Sequence, residues 1–211
     1  GTAICLGRIF PRKIGYKLAD VITGKLSQNL SSKAVQVIRA NQWIVSGRKM
    51  SAEELDARAI KVMQANGRCI FDFYHLVGRS KRILEVSEID PEIAQYFNGE
   101  GRNAMFVAPH ISNFDMIGQA LGILGFRLQI LSYPNPGSGY KWQNRIRENC
   151  GHIITPTSMQ SLKEARIRLQ RGENVLTGLD RPIESGKYQP RFFNEPASLP
   201  VTYTRLALEA N

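Results

Sequence analysis

Apolar positions fall in two different rhythms along this chain. Across residues 11–30 they recur at Ile14, Leu18, Val21, Ile22 and Leu26, roughly one face of a helix, while Lys13, Lys17 and Lys25 lie elsewhere. Such a basic amphipathic helix either packs on the domain with its lysines in water or lies on a membrane surface. A second helix is predicted from the caps Ser31 and Ser32 to Gly47. A third opens at Ser51, whose spacing to Glu54 is that of a capping box.

After Pro91 the period shortens. Residues 104–108 form a short apolar run, and residues 113–124 are helical in pattern, ending near Gly125. Strand 126–131, helix 140–149 ending at Gly151, and strand 152–155 follow. Leu162, Ala165 and Leu169 mark one more helix, closed by Gly172, before strand 174–179. Strands alternating with helices of this length predict an α/β fold: a mostly parallel central sheet flanked by helices, behind a helical N-terminal region. Ligands of such sheets gather at the carboxyl ends of the strands, and His110 and Asp180 each lie just past one.

Composition narrows the picture. With 211 residues, 43% of them hydrophobic, the chain supports one well-buried domain over 1–211, helical to about residue 100 and α/β beyond. Lys and Arg total 28 against 18 for Asp and Glu, and the resulting charge of +10 points to an anionic partner. That charge alone also admits a basic nucleic-acid-binding domain, but neither a helix-turn-helix nor an aromatic RNA-binding signature accompanies it, so no nucleic acid partner is expected. Cys5, Cys69 and Cys150 have no paired spacing, which argues against a disulfide framework or a zinc knuckle and fits a reducing cytoplasm. No run of about 18 apolar residues is present to span a membrane, and residues 1–10 do not read as a secretory leader. Residues 204–211 read as the start of a helix with no stop signal, so the native chain is expected to continue past Asn211.

The candidate chemistry centres on Pro109-His110-Ile111-Ser112-Asn113-Phe114-Asp115. General base catalysis at a hydroxyl needs a group of near-neutral pKa, which imidazole supplies, and a carboxylate on the far ring nitrogen fixes its tautomer. A histidine in the turn after a strand and an aspartate in the next helical turn can meet, so His110 is read as general base and Asp115 as its helper. Asp115 also fits an ordinary acidic residue favoured near a helix N-terminus. No Gly-x-Ser-x-Gly elbow is present, so direct attack by a substrate hydroxyl is expected rather than a covalent intermediate on the protein.

The segment AMFVAPHISNFDMIGQALG, residues 104–122, resembles the first motif of the bacterial lipid A lauroyl/myristoyl acyltransferase family, whose relatives include phosphatidylinositol mannoside acyltransferases. That family carries His, four residues, then Asp or Glu. The likeness continues through Asn144-Arg145-Ile146-Arg147-Glu148-Asn149, Leu169 to Val175, Leu179-Asp180-Arg181 and Arg191-Phe192-Phe193-Asn194-Glu195-Pro196-Ala197. Asn194 stands where the family usually has glycine. The front half is similar too, at Arg39-Ala40-Asn41-Gln42 and Phe71-Asp72-Phe73-Tyr74.

The resemblance implies a glycerolipid acyltransferase-like fold and transfer of a fatty acyl group from acyl-CoA or an acyl carrier protein to a hydroxyl of a glycolipid. No cofactor or metal is implied beyond the acyl donor. It implies peripheral association with the cytoplasmic face of the bacterial inner membrane. By resemblance Arg145 or Arg147 contacts a phosphate, against a solvated charge as the plain alternative. Asp180 and Arg181 position the acceptor, or form a structural ion pair. Phe192 and Phe193 bind substrate or fill the core. The nearest rival is a glycerophospholipid acyltransferase, and a non-catalytic lipid-binding relative is a further alternative.

Overall fold

The computed structural model describes residue 7 and residues 9–96, 104–182 and 188–210. Contacts cluster into two compact units, Gly1–Gly78 with Phe192–Glu195, and Arg79–Arg191 with Pro196–Asn211. Cys5, most of the N-terminal stretch and Asn211 lie outside the described residues.

The first unit is helical. Helices α1 (Arg12–Ser27), α2 (Lys33–Val45) and α3 (Ala52–Leu76) are built around α3, against which both others pack. The capping box at Ser51 forms: its hydroxyl accepts from the Glu54 amide, and the Glu54 carboxylate accepts from the Ser51 amide at 2.8 Å.

The packing of α1 differs from the simplest reading of its sequence. Its inward stripe consists of small residues, Gly15, Thr23 and Ser27, and a Cβ on Gly15 would overlap the Phe71 ring of α3. Thr23 in turn sits against Gly67 of α3. Close approach of the two backbones is secured by side-chain ties: Tyr16 donates to the buried Asp72 at 2.6 Å, Arg12 donates to both oxygens of Asp72, and Arg68 forks onto Asp20 at 2.7 and 2.6 Å. The apolar residues of α1 therefore face outward.

The second unit is the α/β part. Two short helices, α4 (Ser80–Glu85) and α5 (Pro91–Ala94), precede β1 (Met105–Ala108), α6 (Phe114–Ile123), β2 (Leu128–Ser132), α7 (Ser138–Asn149), β3 (Ile153–Pro156), α8 (Met159–Gln170) and β4 (Asn174–Gly178). The four strands form one parallel sheet in the order β1-β4-β2-β3. Every residue of β2 is buried, as expected of a strand covered on both faces.

Alternation along the strands separates two apolar layers. Leu131 and Val175 pack with Ala165 and Leu169 of α8 and with Leu206 and Ala210 of α9 (Thr202–Ala210). Leu128 and Ile130 pack on the opposite face with Leu121 of α6. Two-residue strands β5 (Arg191–Phe192) and β6 (Glu195–Pro196) pair across a turn in which Phe193 and Asn194 have φ of 50° and 63°. Two successive positive φ values define the tight hairpin, and asparagine is the side chain that best tolerates the glycine-like conformation there.

Candidate active site

A cavity of about 430 Å³ opens at the carboxyl ends of the parallel strands, within the second unit. Ala108 of β1, Leu131 and Ser132 of β2, and Thr177 and Gly178 of β4 form its strand side; Phe114 and Gly118 of α6 and Tyr140 and Arg147 of α7 form its helix side. The wall is largely apolar, with a few charged groups, Asp115, Arg147 and Arg181, among its lining residues, the composition of a ligand pocket.

His110 lies in the turn between β1 and α6, where Ser112 takes a positive φ of 47°. The His110 ring stands edge-to-face on Phe114, with centroids 4.7 Å apart. Its Nδ1 donates to Asp180 Oδ1 at 2.6 Å, and the His110 amide donates to Asp180 Oδ2 at 2.8 Å. One carboxylate thus holds both the ring and the backbone of this residue. With Nδ1 committed, Nε2 is the nitrogen able to take a proton from a substrate.

The carboxylate beside the imidazole is Asp180, where the sequence reading had put Asp115. Strand register explains the exchange. β1 pairs directly with β4, Ala108 opposite Gly178, so residues two positions further on, 110 and 180, emerge side by side. Gly178 makes room for the ring: a Cβ there would lie 2.7 Å from His110 Cε1. Burial by itself would raise the Asp180 carboxyl, but the hydrogen bonds from the His110 ring and amide outweigh it and hold the group below its ordinary value.

Asp115 sits in the first turn of α6 and is engaged by Arg147. The Arg147 Nε donates to Asp115 Oδ1 at 2.9 Å, its Nη2 reaches the same oxygen, and its Nη1 donates to Asn144 Oδ1 at 2.6 Å. The two side chains of this ion pair are 7% and 13% exposed, so both are largely withdrawn from water. Of the two arginines singled out on this helix, Arg147 enters the cavity wall and Arg145 is exposed.

Arg181 also lines the cavity, its guanidinium 5.3 Å from the Tyr133 ring centroid and 5.2 Å from that of Tyr140. Asp180 and Arg181 therefore have separate partners. Tyr140 is shared, since the Arg147 guanidinium lies 5.2 Å from the same ring. Sequence inspection missed both tyrosines; Tyr133 follows the end of β2, and that position was the available signal. Phe192 and Phe193 meet edge-to-face at 4.7 Å in the hairpin, both half exposed, so they are not core residues.

The remaining histidines hold carbonyls. His75 Nδ1 donates to Gly7 O at 2.7 Å, and His152 Nε2 donates to Gly118 O at 2.7 Å. Burial pushes the His152 pKa down, with the Gly118 bond opposing. Among the described residues no three His, Cys, Asp or Glu side chains converge as a metal site would require, and no helix is long and apolar enough to cross a membrane.

The sequence model of the bacterial lipid A biosynthesis acyltransferase family matches residues 2–211. The chain belongs to this family. No curated protein matches it. Membership makes the chain an acyltransferase acting on lipid, with an acyl donor and a lipid acceptor as its partners. The α/β architecture with a parallel four-stranded sheet agrees with the fold expected from the resemblance.

Proposed function

We propose that the chain moves a fatty acyl group from a thioester donor, acyl-CoA or an acyl carrier protein, to a hydroxyl of a glycolipid acceptor, with His110 as general base and Asp180 as its positioning partner. The observation that carries this reading is one imidazole at a largely apolar cavity, tied through Nδ1 to a carboxylate.

In the proposed step, His110 Nε2 takes the acceptor hydroxyl proton as that oxygen attacks the thioester carbonyl. The tetrahedral adduct then collapses, the carbon–sulfur bond breaks, and the imidazolium returns the proton to the departing thiolate. Asp180 keeps Nδ1 protonated and stabilises the imidazolium. The cavity receives acyl-chain methylenes, and Arg181 meets an anionic group of donor or acceptor, for which a guanidinium fork is suited. Asp115 acts through Arg147 rather than through the base. No metal or cofactor enters this scheme. Thioester carriers are cytoplasmic and the acceptor is a lipid, so the reading puts the reaction at the cytoplasmic face of the bacterial plasma membrane, with the chain held peripherally.

The test is to incubate the protein with labelled acyl-CoA or acyl carrier protein and a native lipid extract, and to read products by mass spectrometry. Acylated glycolipid from wild type, and none above background from His110→Ala, is expected. Acylated glycerophospholipid as the sole product would shift the acceptor class, and undiminished product from His110→Ala would end the proposal.

A further inference from the structure

Helix α1 is oriented against the usual rule for an amphipathic helix. At 100° per residue, Ile14, Leu18, Val21, Ile22 and Leu26 fall within an arc of about 140°. In the structure those five side chains are between 47% and 57% exposed, while the adjoining stripe of small residues, Gly15, Thr23 and Ser27, packs on α3. Single apolar side chains on a surface are ordinary; five on one continuous helix face mark a surface that meets something.

Charge says what it meets. Lys13 and Lys17 run along one edge of the arc and Lys25 lies within it near the helix end, all three exposed. No acidic side chain shares that face, because Asp20, the one acid of the helix, is turned inward onto Arg68. An apolar arc flanked by lysines along one edge, with no exposed acid of its own, suits an interface with hydrocarbon below and anionic groups at the level of the amines, with the long lysine stems bridging the two. It does not suit a protein partner of mixed charge.

We propose that α1 is the face by which this chain docks on a bilayer bearing anionic headgroups. This deepens the reading above by naming the surface that meets the membrane, and it rests on the geometry of α1, so its test runs without acyl transfer.

The full chain is sedimented with vesicles of phosphatidylcholine alone and of phosphatidylcholine mixed with phosphatidylglycerol in equal parts. Wild type is expected to bind the mixed vesicles, more weakly in high salt, and to prefer them to the neutral ones. Leu18→Glu/Ile22→Glu should lower the partition coefficient at least about tenfold. Lys13→Gln/Lys17→Gln/Lys25→Gln should remove roughly tenfold or more of the anionic preference. Because the substituted side chains point into water, circular dichroism should be unchanged; if the glutamate variant misfolds, Leu18→Ser/Val21→Ser carries the same comparison. His110→Ala should bind as wild type does, which separates failure of docking from failure of chemistry. The proposal is overturned if wild type ignores the mixed vesicles, or if the apolar variants bind them equally well. It is also overturned if those variants only dissociate a dimer, which would make a second copy of the chain the occupant.

Discussion

Asp115 lines the cavity and Asp180 reaches it through His110, and the two sit in different amounts of water. Asp115 is 13% exposed and meets an arginine that is 7% exposed, whereas Asp180 is 40% exposed and meets an imidazole that is 27% exposed. A largely buried ion pair is costly to break, because either partner left alone keeps its charge with little solvent around it. A half-exposed pair contributes little to folding but can shift the tautomer and orientation of a base. On the proposed mechanism the first pair serves stability and the second serves proton transfer.

The largest separation between them should come from removing the base. His110→Ala is expected to lower turnover by about 10²–10⁴-fold while the denaturant midpoint stays near that of wild type. The reverse pattern is expected for the buried pair: Arg147→Met or Asp115→Asn should cost about 3–5 kcal/mol in urea unfolding, and the double variant Arg147→Met/Asp115→Leu much less than the sum. If Asp115→Asn instead lost turnover at unchanged stability, the roles assigned to the two aspartates would have to be exchanged.

Asp180→Asn comes next. Turnover should fall on the order of 10²-fold, with little change in folding at neutral pH. The sign of its pH dependence follows from the lowered pKa of the folded carboxyl. Whatever stability the His110 contact adds is present above the ordinary value of 3.8, and it is lost as pH falls through the lower, folded value. The difference between wild type and Asp180→Asn should therefore close only in strong acid. A gentler probe of the same geometry is Gly178→Ala, whose methyl displaces the ring and should reduce turnover roughly tenfold with KM nearly constant.

The smallest effect belongs to His152, buried and tied to Gly118 of the cavity wall. Its folded pKa lies below the ordinary 6.5, so the unfolded chain takes up the proton first as pH drops. Stability from this group is complete above that value and declines below it, by up to about 1.4 kcal/mol per pH unit. His152→Gln should flatten the fall in unfolding midpoint between neutral and mildly acidic pH; an unchanged slope would mean that another group titrates there.

Much of this architecture was legible in the order of apolar and polar residues. Each expected strand of the sheet lies within two residues of its observed start, because short apolar runs bounded by glycine leave few alternatives. His110 and Asp180 were legible as strand-end residues. Their adjacency was not, since it depends on β4 inserting beside β1 across 70 positions of sequence, and no local pattern encodes which parallel strands are neighbours. Asp115 was chosen by nearness in sequence, and a buried arginine 32 positions away claimed it. The choice between the two readings of α1, packed on the domain or lying on a membrane surface, was not legible for a similar reason. Its apolar stripe outweighs its small-residue stripe on any hydrophobicity count, yet the small residues allow the closer backbone approach.

The central position of β4 also has a consequence for the birth of the protein. During synthesis the ribosome delivers His110 well before residues 174–180, so the nascent polypeptide carries a histidine with no acidic neighbour to steer it. Only when the later strand slides between β1 and β2 do the two come together, and a slip by a single residue would present the wrong side chain to the carboxylate. On the proposed mechanism, completion of the sheet is also what sets the base in place, and a chain ending before that strand would lack the carboxylate that orients His110.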